Sequence, residues 1–86
     1  LTATEVNKED LRGIVADALE ADREEVGDQA DFAEELEVDS LVQLEISSQV
    51  ENSYGISIEE VLASGVTTLD ELYGFVTARL AERHPA

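Results

Sequence analysis

Apolar positions along the chain fall into three helical stripes separated by polar segments. From about Lys8 to Ala21, Leu11, Ile14, Val15, Ala18 and Leu19 recur at three- and four-residue spacing and form one apolar face. Asn7 precedes this face at an N-cap position, and Asp10 stands at the N3 spacing of a capping box. Gly13 inside the helix costs about 1 kcal/mol relative to Ala, so a close backbone approach is expected there. A second stripe starts at Asp39 or Ser40 and runs to Ser53 or Tyr54, where Gly55 ends it. Either Asp39 or Ser40 can accept from the first free backbone N–H groups. Ile56 and Ile58 then alternate with Ser57 in a short extended connection, and Glu59 to Ser64 predicts a short helix stopped by Gly65. Thr67 with Asp70, or Thr68 with Glu71, makes a capping box for a last helix bearing Leu69, Leu72, Tyr73, Val76 and Leu80.

The second helix is apolar on more than one side. Val42, Ile46, Val50 and Tyr54 repeat every four residues, while Leu41, Leu44 and Ser48 lie on another side. One stripe can face the core. The other is either buried as well or left exposed, and an exposed Leu pair beside a helix start points to a docking surface.

Periodicity is lost from Asp22 to Asp39. Acids crowd this segment, and Val26, Phe32, Leu36 and Val38 are its scattered apolar anchors. A loop this long inside a compact domain is usually functional, and a short helical turn within it is expected. The pattern therefore predicts an all-α fold, a small four-helix bundle of three longer helices and one short one. The long acidic loop joins the first two helices. One domain is expected over residues 1–86, with its core at about 7–81 and a frayed tail at 82–86.

Composition narrows the function classes. A chain of 86 residues suits one domain, and 43% hydrophobic residues are ordinary for a folded chain. Absence of cysteine excludes a disulfide staple and a thiolate metal site. The 21 acids against 5 bases give a formal charge of -16, which repels nucleic-acid phosphates and anionic membranes and attracts basic protein patches. No apolar run approaches the ~20 residues of a membrane span. No secretory signal pattern opens the chain, so a cytoplasmic monomer is expected.

Few residues can carry chemistry. His84 stands in the tail beside Pro85, and no serine has a base oriented by a third group near it. The acidic loop lacks calcium-loop spacing with its central Gly, so no specific metal site is expected, although clustered carboxylates can bind cations loosely. The glycines are dispersed and form no phosphate-cradling loop. A binding module or a carrier remains. Its physical candidate is Asp39-Ser40-Leu41. A lone serine at a helix start is at least as often a cap as a functional group. The acidic loop before Ser40 and the Leu41 and Leu44 side chains after it favour modification by a protein that reads negative charge.

These residues also carry a resemblance. The run Phe32-Ala33-Glu34-Glu35-Leu36-Glu37-Val38-Asp39-Ser40-Leu41 resembles the signature of acyl carrier proteins. The likeness continues through Glu45, Ile46, Val50, Glu51 and Tyr54-Gly55-Ile56-Ser57-Ile58 to Thr67-Thr68-Leu69. It implies a four-helix bundle in which Ser40 receives 4'-phosphopantetheine from coenzyme A through a magnesium-dependent phosphopantetheinyl transferase. The thiol of that arm would carry acyl groups as thioesters, with Asp39 the acid before the attachment point. It places Leu41, Leu44 and Glu45 on a partner-recognition helix, with Val42, Ser48 and Glu51 on the same surface. Val15, Ile46, Val50, Ile58, Leu72 and Val76 would line the core or an acyl-accommodating cleft. Expected partners are a ketosynthase, an acyltransferase or ligase and other pathway enzymes with basic docking patches. The carrier itself would be no enzyme. A tethered substrate gains effective concentration at each active site, and charge contacts form and release quickly.

Three departures stand out. Ser48 replaces a larger apolar residue common in fatty-acid carriers, and Val42 replaces a polar one. The second helix has only Glu45 and Glu51 as acids. These features favour a discrete carrier of a polyketide or related secondary-metabolite pathway. The alternatives are a fatty-acid carrier, a peptidyl or aminoacyl carrier, and an acidic helical adaptor without prosthetic group. Glu37 stands where many members have Gly, which a common backbone conformation would tolerate.

Overall fold

The computed structural model describes residues 6–83. Four α-helices follow one another: α1 (Lys8–Leu19), α2 (Ser40–Tyr54), α3 (Ile58–Ser64) and α4 (Leu69–Arg83). A single 3-10 turn at Arg23–Glu25 interrupts the loop between α1 and α2, and the described residues contain no strand. The all-α architecture and the short turn in the acidic loop agree with the pattern of the sequence.

Local chemistry sets each boundary. Asn7 caps α1 by accepting from Glu9 N at 2.8 Å. Glu20 closes α1 in the left-handed region at φ 56, two residues earlier than the apolar spacing suggested. Gly55 and Gly65 end α2 and α3, each at φ 74, where a side chain would be strained. The connection after Gly55 is shorter than expected, because Ile58 is already helical. Ser57 is the N-cap of α3, its hydroxyl accepting from Glu60 N at 3.2 Å. At α4, Thr68 Oγ1 accepts from Glu71 N at 3.1 Å, and Glu71 Oε1 accepts from Thr67 N at 2.8 Å. Of the two expected boxes, Thr68 with Glu71 is the one that forms, its Glu71 reaching back to Thr67 N, while Asp70 pairs with Lys8 instead. Helix α4 runs through Glu82 and Arg83, where fraying was expected. His84, Pro85 and Ala86 lie outside the described residues.

α2 packs on α1 and α3, and α1 also packs on α4. Leu11, Val15, Val50, Ile56, Leu69, Leu72 and Val76 are almost wholly buried between them. Burying each such side chain contributes about 1.5–3 kcal/mol. Val26 and Phe32 drop from the acidic loop into this core, with Leu36 and Val38 packed against it. Backbone bonds complete the tether: Phe32 N donates to Thr67 O at 2.8 Å, and Asp70 N donates to Asp28 O at 3.1 Å. The loop before α2 is therefore held to the start of α4, and this fixes the direction from which the chain enters α2.

Candidate functional site

Asp39 and Ser40 divide two roles that the sequence left interchangeable. Asp39 is extended at φ -94 and ψ -175, and its Oδ1 accepts from Val42 N at 2.9 Å. It is the N-cap of α2. Ser40 is the first helical residue, is exposed, and its hydroxyl makes no hydrogen bond among the described residues. The capping duty that commonly explains a serine at a helix start is already filled, so the Ser40 hydroxyl is available for modification. The residues present thus fit a covalent arm: an accessible oxygen on a rigid helix, preceded by a tethered loop.

Beyond Ser40, α2 turns Leu41 and Leu44 toward solvent, with fractional exposures of 76% and 46%. Val42, Ile46, Val50 and Tyr54 form the inward stripe. Leu41, Val42, Leu44, Glu45 and Ser48 line one wall of an open groove, Asp17 and Ala18 of α1 with its cap residue Glu20 line the other, and Ile58 closes it. Five of the six expected partner-surface positions thus meet in one groove. Glu51 is exposed but is not part of its walls. Ile58 is half-buried at the groove and absent from the innermost core. Asp17 and Glu20 escaped the sequence reading because they lie on α1 and at its cap, distant in sequence from Ser40.

The other side of α2 faces a cavity of about 120 Å³ lined by apolar residues including Phe32, Val38, Ile46, Val61 and Leu72. Gln43, Ser47 and Thr67 are its polar members. Ser47 is 1% exposed and donates its hydroxyl proton to Gln43 O at 2.9 Å. The sequence reading missed Ser47. Its neighbours carried the signal, since it lies beside Ile46 and one turn before Val50 on the arc that meets the core.

One residue corrects an expectation about the approach to the site. Glu37 sits at φ 56, in the left-handed region and outside the common conformations. Where a glycine would be relaxed, this chain holds a side chain in a strained loop three residues before Ser40.

Charge is distributed unevenly around these features. No lysine or arginine occurs between Arg23 and Arg79. Lys8 pairs with Asp70 at 2.6 Å and with Asp28 at 3.5 Å, Arg12 pairs with Glu9 and Asp28, and Arg79 pairs with Glu60. The Arg12 guanidinium holds Asp28 and Glu9 below the usual carboxylate range, and the hydrogen bond to Asp70 raises Lys8. None of these cations lines the groove. Among the described residues, no group of three or more His, Cys, Asp or Glu side chains is placed to hold a metal ion.

Residues 9–76 match the family described as the phosphopantetheine attachment site. The chain is also 43% identical over 81 residues to polyketide-8 synthase acyl carrier protein 2 of Streptomyces avermitilis, covering 94% of this chain and 93% of that protein. The chain belongs to the acyl carrier protein family. The carrier is further similar to the acyl carrier protein of Thermosynechococcus vestitus, at 34% identity over 85% of this chain and 90% of that one. It is 36% identical to that of Rubrobacter xylanophilus over 77% of this chain and 82% of that one. The carrier's cofactor is accordingly phosphopantetheine, and its fold is the expected helical bundle. No helix of the carrier among the described residues is long and apolar enough to cross a membrane.

Proposed function

We propose that Ser40 is the attachment point of the arm and that the chain carries polyketide intermediates between enzymes. The observation that carries the assignment is the release of the Ser40 hydroxyl by Asp39, which alone caps α2. The bound arm supplies a terminal thiol that holds acyl groups as thioesters. The chain's own residues present that arm and make no bond themselves. Asp39 fixes the helix start, the tethered loop fixes its direction, and Leu41, Val42, Leu44, Glu45 and Ser48 offer an apolar groove with an acidic rim. Glu51 extends the acidic surface along α2.

Such a surface suits the phosphopantetheinyl transferase, and a ketosynthase, acyltransferase or ligase with a basic patch, met in turn by a cytoplasmic monomer. Contacts that combine screened charge with a small apolar patch form fast and release fast. The 43% identity to a carrier named for a polyketide synthase supports that pathway. Incubation with coenzyme A and a phosphopantetheinyl transferase should add the mass of one arm, located on Ser40 by peptide mass spectrometry. Equal loading of Ser40→Ala would overturn the assignment.

A further inference from the structure

A shallow groove runs between α1 and the end of α2. Gly13, Ile14 and the half-buried Tyr54 form its floor, and the exposed Asp10 and Asp17 stand on its rim. Asp10, Gly13 and Asp17 lie at i, i+3 and i+7 on one face of α1. The two carboxylates are thus about 10 Å apart along the helix. The Arg23 guanidinium fills the gap between them. A Cβ on Gly13 would stand 2.6 Å from its Nη2, and its Nη1 donates to Glu9 O at 3.0 Å. The groove therefore presents negative, positive and negative charge in turn, at a spacing of about 5 Å, one helical turn.

None of these three charges is paired within the described fold. Lys8, Arg12 and Arg79 lie against carboxylates, whereas Asp10, Asp17 and Arg23 form no ion pair among the described residues. Arg23 is nevertheless held in place. A guanidinium has five N–H donors, and that of Arg23 is accepted only by Glu9 O among the described residues. A planar fork fixed in this way loses little freedom when it meets a carboxylate.

The complement of this surface reads cation, anion, cation. A helix laid along α1 shows such residues at i, i+3 and i+7 with the same rise. An extended strand spaces its same-face residues at about 6.8 Å and falls out of step. A second copy of the chain does not supply the pattern, because its bases, Lys8, Arg12, Arg23, Arg79 and Arg83, include no pair seven residues apart. The formal charge of -16 on each copy also opposes association.

We infer that this groove is a second docking surface, for a partner protein's helix with cations at i and i+7 and an acid at i+3, and that Arg23 selects the acid. Asp17 lines both this groove and the one beside Ser40, so the two surfaces adjoin. The inference does not depend on an arm at Ser40. Selection here runs against net charge: toward so acidic a chain, an acid on the partner weakens attraction everywhere except beside Arg23.

The experiment titrates the full, unmodified, isotope-labelled chain with two amphipathic helical peptides, one reading Lys-x-x-Glu-x-x-x-Lys and the other Lys-x-x-Gln-x-x-x-Lys. The glutamate peptide should bind about two- to fivefold tighter, as one exposed ion pair allows. The largest amide shifts should fall at Gly13, Ile14 and Tyr54. In Arg23→Gln, whose spectrum should show the same fold, the order of the peptides should reverse, because net charge alone then decides. Gly13→Ala keeps the arginine but displaces its guanidinium, and it should narrow the preference. Tighter binding of the glutamine peptide to the parent, an unchanged order in Arg23→Gln, shifts confined to the Leu41 and Leu44 face, or no binding of either peptide would overturn the docking surface. Modification of Ser40 plays no part in the readout, so each of these failures leaves the attachment assignment standing.

Discussion

The Arg23 guanidinium lies directly across the backbone of Gly13. A Cβ built on Gly13 would stand 2.6 Å from Arg23 Nη2, and Arg23 Nη1 donates to Glu9 O at 3.0 Å. Glycine in the middle of α1 thus makes room for a loop residue that bonds to the turn before it. Gly13→Ala gains about 1 kcal/mol of helix propensity but displaces the guanidinium and loses a bond of about 0.5–1.5 kcal/mol. The single variant should be near neutral by urea unfolding. With Arg23→Ala already in place, the same change should stabilise by about 1 kcal/mol. A cycle in which the two effects simply add would show that the contact contributes nothing.

Glu37, like Glu20, carries a side chain at a left-handed backbone position. A non-glycine residue in the left-handed region costs about 1–2 kcal/mol, offset in part by the greater entropy glycine loses on folding. Glu37→Gly should therefore raise unfolding stability by about 0.5–1 kcal/mol. A loss of stability would mean that the loop before α2 uses the Glu37 side chain in some other way.

Leu44, at 46% exposure, contributes little to the core and sits in the groove wall. Leu44→Asp should leave the urea midpoint almost unchanged and slow loading by the transferase at least tenfold, as truncation of a central apolar contact commonly does. Leu62, 40% exposed on α3 and outside the groove, is the matched control, and Leu62→Asp should load normally. A sharp drop in stability for Leu44→Asp would place that side chain in the core.

Asp28 gives the fold a pH dependence of defined sign. Its folded-state pKa lies below the unfolded value, chiefly through the Arg12 hydrogen bond. Its contribution is therefore complete above the unfolded value and disappears as pH falls through the folded one. The stability difference between the parent and Asp28→Asn should hold its full value at about pH 6 and above and should shrink as acid protonates Asp28. A difference that does not change with pH would remove the pair from the account.

Helix spacing, caps and the acidic loop were legible in the sequence because each depends on neighbours within one turn. Glycine after Tyr54 and after Ser64 told where helices stop. The choice between Asp39 and Ser40 as the cap was not legible, since both carry a suitable oxygen and only the backbone angles distinguish them. Ser57 looked like part of an extended link because two isoleucines alternate around it. The strain at Glu37 left no trace in the residue itself. Asp17 and Glu20 joined the groove through tertiary packing of α1 beside α2, which no local pattern records.

The placement of the cations also bears on how the molecule approaches an enzyme. Helices α1 and α2 run so that Asp17 and Glu20 adjoin Leu41, while Asp10 and Gly13 adjoin Ser53 and Tyr54. Lys8 and Arg12 therefore neutralise acids at the end far from Ser40, about 20 Å away along α2. The groove beside Ser40 has the acids Asp17, Glu20 and Glu45 in its walls and no cation. A basic surface that approaches this groove therefore meets carboxylates with no cation in the groove walls to oppose the attraction.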